Sequence, residues 1–80
     1  MPYYEFQWNE ENLAKLDINA VSPDDFEDVV CHPIKVEPSR SSGRPIAFGF
    51  AADGRLIACV YDPVDEVVVL PITAYYLEHQ

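Results

Sequence analysis

The dipeptide Asp53-Gly54 separates two short apolar segments, residues 45 to 51 and residues 55 to 61. Both segments carry the β-branched, aromatic and small apolar side chains that are typical of strands. Asp-Gly at the centre of a two-residue loop is the preferred sequence of a type I′ hairpin turn, in which glycine adopts a positive φ. The sequence therefore predicts a tight β-hairpin with Arg55 at the start of its second strand.

A third strand is expected over residues 67 to 74, which follow a five-residue turn. An antiparallel return after a turn of this length places Thr73 opposite Arg55. Pro71 has no amide hydrogen to donate, so the strand is expected to lie at an edge or to be bulged at that residue. This register predicts that Arg55, Thr73 and Tyr75 share one end and one face of the sheet.

The alternation of side chains along the three strands assigns each residue to one of two faces. An entirely apolar face is predicted to pack against helices, and it consists of Ala47, Gly49, Ala51, Leu56, Ala58, Val60, Val68, Leu70, Ile72 and Ala74. The opposite face has an apolar floor with polar side chains at its rim, and it consists of Ile46, Phe48, Phe50, Arg55, Ile57, Cys59, Tyr61, Val67, Val69, Thr73 and Tyr75. An uncovered apolar floor is typical of a surface that binds a partner or a ligand.

Two helices are expected before the hairpin. The first begins after the capping residue Asn9, continues with two glutamates that favour a helix N-terminus, and runs to about Ile18. The second begins after Ser22, where a capping hydroxyl is followed by proline at the first helical position. His32-Pro33 ends this helix, because the residue before a proline disfavours helical backbone.

Strands are also expected on both sides of the helices. Tyr4, Phe6 and Trp8 alternate with polar residues and indicate a first strand, and residues 34 to 37 form a short candidate strand. Residues 1 to 80 are therefore predicted to form a single α+β domain. In it, two N-terminal helices pack on one face of a four- to five-stranded, mainly antiparallel sheet.

The charge of the chain is strongly negative and unevenly distributed. The formal net charge is -9, with eight acids and one lysine in residues 1 to 30 and all three arginines in residues 31 to 60. Such a balance repels polyanions, because nucleic-acid affinity comes largely from cations that displace counterions from phosphates. Any contact with RNA must therefore be local, near the arginines.

The two cysteines, Cys31 and Cys59, favour a reducing compartment, for which the cytoplasm is the simplest expectation. No apolar run approaches the roughly 20 residues that span a bilayer, so no membrane association is expected. Cys31 is adjacent to His32, but no second pair of ligands has a suitable spacing. We therefore expect neither a metal nor a cofactor.

Taken in order along the chain, several short motifs resemble BrnT, a family of small ribonuclease toxins with a RelE-like fold. The likeness covers nearly the whole chain and rests on Phe6-Gln7-Trp8-Asn9 with Asn12, Val21-Ser22-Pro23 with Glu27 and Val30, Gly43-Arg44, Gly49, Asp53-Gly54-Arg55-Leu56, and Ile72-Thr73-Ala74. The resemblance implies two helices against an antiparallel sheet, a metal-independent RNA endonuclease, and a ribbon-helix-helix antitoxin as partner. The chain has Tyr75 where the family often has arginine.

RelE-like cleavage directs the 2′-hydroxyl of the RNA at the neighbouring phosphate and needs a cation and proton-transfer groups. On this resemblance Arg55 and Tyr75 are the catalytic candidates. The candidate RNA- or ligand-binding residues are Arg55, Thr73, Tyr61, Phe48, Phe50, Arg44 and His79. Arg44 lies roughly 26 Å from Arg55 along the predicted strands, near the acidic turn, where a surface ion pair is the alternative interpretation.

Two functional hypotheses follow from the sequence. The first is a toxin-antitoxin ribonuclease that receives RNA on the open face at the Arg55 end. The second is a catalytically silent, acidic module that binds another protein through its aromatic face or regulates a true toxin. Charge favours the second hypothesis, and the family resemblance favours the first.

Overall fold

The computed structural model describes residues 4 to 77, in which two helices are inserted between the first and second strands. The elements in chain order are β1 (Glu5–Phe6), α1 (Glu10–Ile18), α2 (Pro23–Cys31), β2 (Lys35–Pro38), β3 (Pro45–Phe50), β4 (Leu56–Pro63) and β5 (Val68–Tyr76). The predicted α+β class with two helices is confirmed. No helix within this part of the chain has the length and apolar character needed to cross a bilayer.

The five strands form one mixed sheet in the order β1-β5-β4-β3-β2. Strands β2 to β5 are antiparallel to their neighbours, while β1 pairs with β5 in parallel over two residues. The prediction that β5 is bulged near Pro71 is confirmed, because Tyr61 pairs with Pro71 whereas Val60 pairs with Thr73, which leaves Ile72 as the extra residue. The alternative, an edge position for β5, is wrong, since β1 covers its outer side.

Both helices begin and end where their capping residues predict. Asn9 and Asn12 form a reciprocal capping box, in which each side-chain oxygen accepts a hydrogen bond from the other residue's amide at 2.8 to 2.9 Å. The Ser22 hydroxyl accepts a hydrogen bond from the Asp25 amide at 3.1 Å, and α2 ends at Cys31 with His32 as its C-cap. These signals are local in sequence, so they do not depend on the rest of the fold.

The helices pack on one face of the sheet around Phe26, which is completely buried. The Phe26 ring lies edge-to-face against Phe6 and Trp8, with centroids 6.2 and 5.4 Å away. Helix α2 lies so close to β3 that a Cβ at Gly49 would be 3.1 Å from both methyl groups of Val29. Glycine at this residue therefore sets the distance between the helix and the sheet.

The hairpin loop between β3 and β4 contains three residues, 52 to 54, rather than the predicted two. The Ala51 amide donates to the Arg55 carbonyl at 2.8 Å, and the Ala51 carbonyl accepts the Gly54 amide at 2.9 Å. The Asp53 carboxylate accepts the Arg55 amide at 3.0 Å, a local hydrogen bond that stabilises the longer loop. The predicted positive φ at Gly54 is confirmed at 89°, as the left-handed glycine of a three-residue loop requires.

The longer loop shifts β4 by one residue against β3, and a shift of one residue exchanges the two faces of a strand. Ala47 pairs with Cys59 and Gly49 with Ile57, so the helix-covered face receives Ile57, Cys59 and Tyr61. Their predicted placement on the open face was wrong, as was that of Val69, which is buried. Leu56, Ala58 and Val60, predicted to contact the helices, lie on the open face instead.

Candidate functional site

The Arg55 side chain lies at the end of the sheet where the hairpin turns. Its guanidinium stacks over the Tyr76 ring at 3.9 Å, and its Nε donates to the Asp53 carboxylate at 2.8 Å. Tyr76 pairs with Ile57 on the helix-covered face, and its hydroxyl donates to the Ala20 carbonyl at 3.1 Å. Arg55 is therefore held by one acid and one aromatic ring on the side of the helices.

The charge of Arg55 is largely compensated by its neighbour. Hydrogen bonds from Arg55, first from its amide and then from its side chain, lower the pKa of Asp53, and the Asp53 carboxylate raises the pKa of Arg55. Both side chains are exposed, so water and salt screen the attraction between them. A phosphate that approaches Arg55 must compete with a carboxylate already bound to it.

The predicted catalytic pair is not assembled by this fold. Tyr75 pairs with Ala58 on the open face, whereas Arg55 stacks on Tyr76 on the other side of the sheet. Thr73 pairs with Val60, five residues along β4 from Arg55, which corresponds to roughly 16 Å. The expectation that Arg55, Thr73 and Tyr75 share one face was wrong because the bulge exchanges the faces of the β5 residues after it. The ladder between β4 and β5 also extends to Pro63 and Val69, which moves Thr73 away from Arg55. His79 lies outside the described residues.

Arg44 lies at the opposite end of β3 and β4. Its Nε is 3.8 Å from the Asp62 carboxylate, and both side chains are more than two-fifths exposed. The predicted ion pair with the acidic turn is thus confirmed for Asp62. Asp65 of the same turn accepts the amides of Val67 and Val68 at 2.9 Å, and these hydrogen bonds lower its pKa.

Tyr61 packs against the core on the helix-covered face. Burial raises the pKa of the Tyr61 hydroxyl, and the neighbouring Tyr4 raises it further. A phenol in this environment stays protonated at neutral pH. Its position separates it from Phe48 and Phe50, with which it was predicted to form a binding surface.

The side of the sheet opposite the helices also carries apolar and aromatic side chains. We define the open sheet face by the residues Ile46, Phe48, Phe50, Leu56, Ala58, Val60, Thr73 and Tyr75. Phe48, Ala58 and Tyr75 lie in register across three strands, and Ala58 between the two aromatic residues is completely buried although no helix covers it. Phe50 and Tyr75 remain 56% and 37% exposed. Phe48 and Phe50 therefore lie together as predicted.

The charged side chains on β2, β3 and β4 beside the open sheet face form two ion pairs. Lys35 and Glu37 on β2 are 3.1 Å apart, and the Lys35 ammonium also lies 5.2 Å from the centre of the Phe48 ring. Arg44 and Asp62 form the second pair. These two bases and two acids balance one another, and Glu5 on β1, in register with Val68, adds one acid at the β1 edge of this side. The helical layer, residues 10 to 31, carries seven acids and one lysine.

Other surface features do not coincide with the predicted site. A shallow groove of about 730 Å³ lies on the helical side, and its lining residues are Glu10, Leu13, Ala14, Asp17, Ala20, Val21, Ser22 and Pro23. Among residues 4 to 77, no group of three or more His, Cys, Asp or Glu side chains is arranged to hold a metal ion. The sequence prediction missed Tyr76, although the bulge expected at Pro71 was a signal that residues after it could change face.

Comparison of the chain with protein-family models, with curated proteins and with solved structures finds no match.

Proposed function

We propose that this protein is an acidic protein-binding module whose binding surface is the open sheet face. The observation that carries the proposal is an apolar, aromatic surface that neither α1 nor α2 covers, with two ion pairs beside it on β2, β3 and β4. Large contiguous apolar surfaces on small proteins are typical of interaction sites. Aromatic side chains such as Phe50 and Tyr75 supply much of the binding energy at protein interfaces.

The distribution of charge also supports a protein partner over a nucleic acid. The open sheet face has no net charge, so it gives a polyanion no attraction, and the helical layer repels one. An apolar polypeptide surface approaches the open face with little electrostatic penalty. Desolvation of Phe50 and Tyr75 then favours association.

The proposal is tested with two matched lysine substitutions. Phe50→Lys places a charge on the open sheet face, and Ile18→Lys places the same charge on α1, where Ile18 is 80% exposed. Affinity-tagged wild type and both variants are expressed in the native cell, and copurifying proteins are identified by mass and then purified for direct binding. Binding that is lost with Phe50→Lys and kept with Ile18→Lys supports the proposal; equal binding by all three proteins contradicts it.

A second candidate is a BrnT-like RNA endonuclease with a RelE-like arrangement, controlled by a ribbon-helix-helix antitoxin in the cytoplasm. It is favoured by the order of elements, in which two helices follow the first strand and pack on one face of the sheet. The exposed Arg55 guanidinium, stacked on Tyr76, supplies a cation for a developing negative charge. Tyr76 rather than Tyr75 is the phenol beside this cation.

The endonuclease candidate is tested by titrating labelled RNA at two salt concentrations. Arg55→Ala should abolish salt-sensitive binding and any cleavage, whereas Arg44→Ala, whose partner is Asp62, should leave both nearly unchanged. Equal losses in the two variants would show that RNA is not bound at the Arg55 end. Absence of binding by wild type leaves the protein-binding module as the supported function.

A further inference from the structure

We infer that the open sheet face binds a second copy of this chain, so that two sheets pack face to face with the helical layers outside. This inference rests on the proposed function, because it names an occupant for the same surface. It follows from three properties of the described residues: the chemistry of the face, the position of the charges and the size of the face.

The chemistry of the face fits the inner side of a β-sandwich. In such sandwiches two sheets pack about 10 Å apart through apolar side chains that alternate with polar residues on the outer faces. Here the outer role is taken by α1 and α2, which already cover the other side of the sheet. Phe50, Val60 and Tyr75 are then the side chains that a second sheet removes from water.

The position of the charges favours a second copy despite the net charge of -9 on each chain. Seven acids and one lysine lie in residues 10 to 31, on the side of the sheet away from the open face. In a face-to-face dimer the two helical layers are separated by both sheets, which is well beyond the Debye length of about 8 Å at physiological salt. The charges beside the apposed faces form two ion pairs on β2, β3 and β4, and Glu5 lies on β1 at the edge of the sheet.

The size of the face determines how strong the dimer is. The open sheet face spans three strands about 4.8 Å apart. With about six residues each at 3.3 Å per residue, these strands give roughly 300 Å² of flat area per copy. Protruding side chains such as Phe50 increase the accessible area above this value. The area buried by two copies should therefore lie below the roughly 1,200 Å² that separates weak, transient interfaces from stable ones. The dimer should therefore dissociate on dilution.

The inference is tested by sedimentation velocity of the full chain at about 5 to 500 µM, where weak interfaces exchange between monomer and dimer. Wild type and Ile18→Lys should rise from the 9.1 kDa monomer toward twice that mass. Phe50→Lys and Tyr75→Lys should stay at the monomer mass, with circular dichroism to show that both variants are folded. Added salt should leave the wild-type dimer intact or strengthen it, because salt screens repulsion between the helical layers.

A wild-type protein that stays monomeric at the highest concentration would overturn the inference. So would a dimer that Ile18→Lys and Phe50→Lys disrupt equally. The broader proposal is judged separately. If wild type is monomeric but binds a purified partner, and only Phe50→Lys abolishes that binding, the partner is bound through the open sheet face. Failure of both experiments would overturn both proposals.

Discussion

Substitution of Gly49 by alanine tests which face of the sheet the helices cover. The new methyl group would lie 3.1 Å from both Val29 methyl groups, closer than ordinary van der Waals contact. Overpacking of this kind costs about 1 to 3 kcal/mol. Alanine is more stable than glycine within a strand by about 0.5 to 1 kcal/mol, so the net loss of unfolding free energy should lie between about 0 and 2.5 kcal/mol.

A double-mutant cycle isolates the contact between these two residues. Val29→Ala alone removes two buried methyl groups and should cost on the order of 1 to 3 kcal/mol. In the double variant the added methyl group occupies part of the vacated space, so its loss should be smaller than the sum of the single losses by about 0.5 to 2 kcal/mol. Urea denaturation of all four proteins, with equal m-values as the control for two-state behaviour, supplies the free energies.

The coupling to Val29, taken together with the sign of the single substitution, distinguishes the two arrangements. If Gly49 faced solvent on the open side, Gly49→Ala would stabilise the protein by about 0.5 to 1 kcal/mol and would show no coupling to Val29. That result would place the helices on the other face and would refute the register described above.

Three further predictions concern the turns and the thiols. Gly54→Val should destabilise the fold by about 1 kcal/mol or more in thermal melts because φ is 89°, while Gly54→Asn should be milder; equal melting temperatures for both would contradict the three-residue loop. Burial raises the pKa of Cys59 to about 12. A maleimide reagent should therefore label only Cys31 in the native protein and both thiols in urea, and native labelling of Cys59 would show that the core opens. The lowered pKa of Asp65 adds stability that is fully present above pH 3.8 and is lost as the pH falls through the folded-state pKa. In urea denaturation at several pH values, Asp65→Asn should reduce the fall in unfolding free energy at acidic pH. The same dependence of unfolding free energy on pH in wild type and variant would contradict the hydrogen bonds of Asp65 in the turn.

The helices could be predicted from the sequence because their signals are local. Asn9 and Ser22 cap the helices through hydrogen bonds to residues three positions away, and His32-Pro33 ends α2 through backbone sterics. None of these contacts needs knowledge of the sheet. The strands were likewise recognised from their alternating side chains.

The assignment of faces failed because it depends on non-local register. One additional loop residue, stabilised by the Asp53 hydrogen bond to Arg55, exchanged the faces of β4 relative to β3. The ladder between β4 and β5 extends to Pro63 and Val69, beyond the predicted end at Tyr61. This extension and the bulge near Pro71 together paired Tyr75 with Ala58, while Tyr76 came to lie beside Arg55. The bulge was anticipated at Pro71, but its effect on the residues after it was not.

Some contacts of the candidate site residues were therefore predicted correctly, but the faces of the sheet on which Arg55 and Tyr61 lie were not. Phe48 and Phe50 form the expected aromatic surface, and Arg44 pairs with Asp62 as its sequence context indicates. Tyr61 and Arg55 lie on the helical side, where they do not contribute to the open sheet face. The open sheet face, with ion pairs beside it, is consequently the surface on which the proposed function rests.

The most direct test of the open sheet face as an interface is a dilution series of amide spectra by nuclear magnetic resonance. Between about 500 and 10 µM, a concentration range suited to weak interfaces, shifts should change for Phe48, Phe50, Val60 and Tyr75 and stay constant for α1 and α2. The Phe50→Lys variant should give the dilute spectrum at every concentration, apart from shifts near the substitution. Two results would contradict the account. In the first, the chemical shifts change mainly in the helices. In the second, the shifts of the open sheet face change neither on dilution nor on addition of a copurified partner.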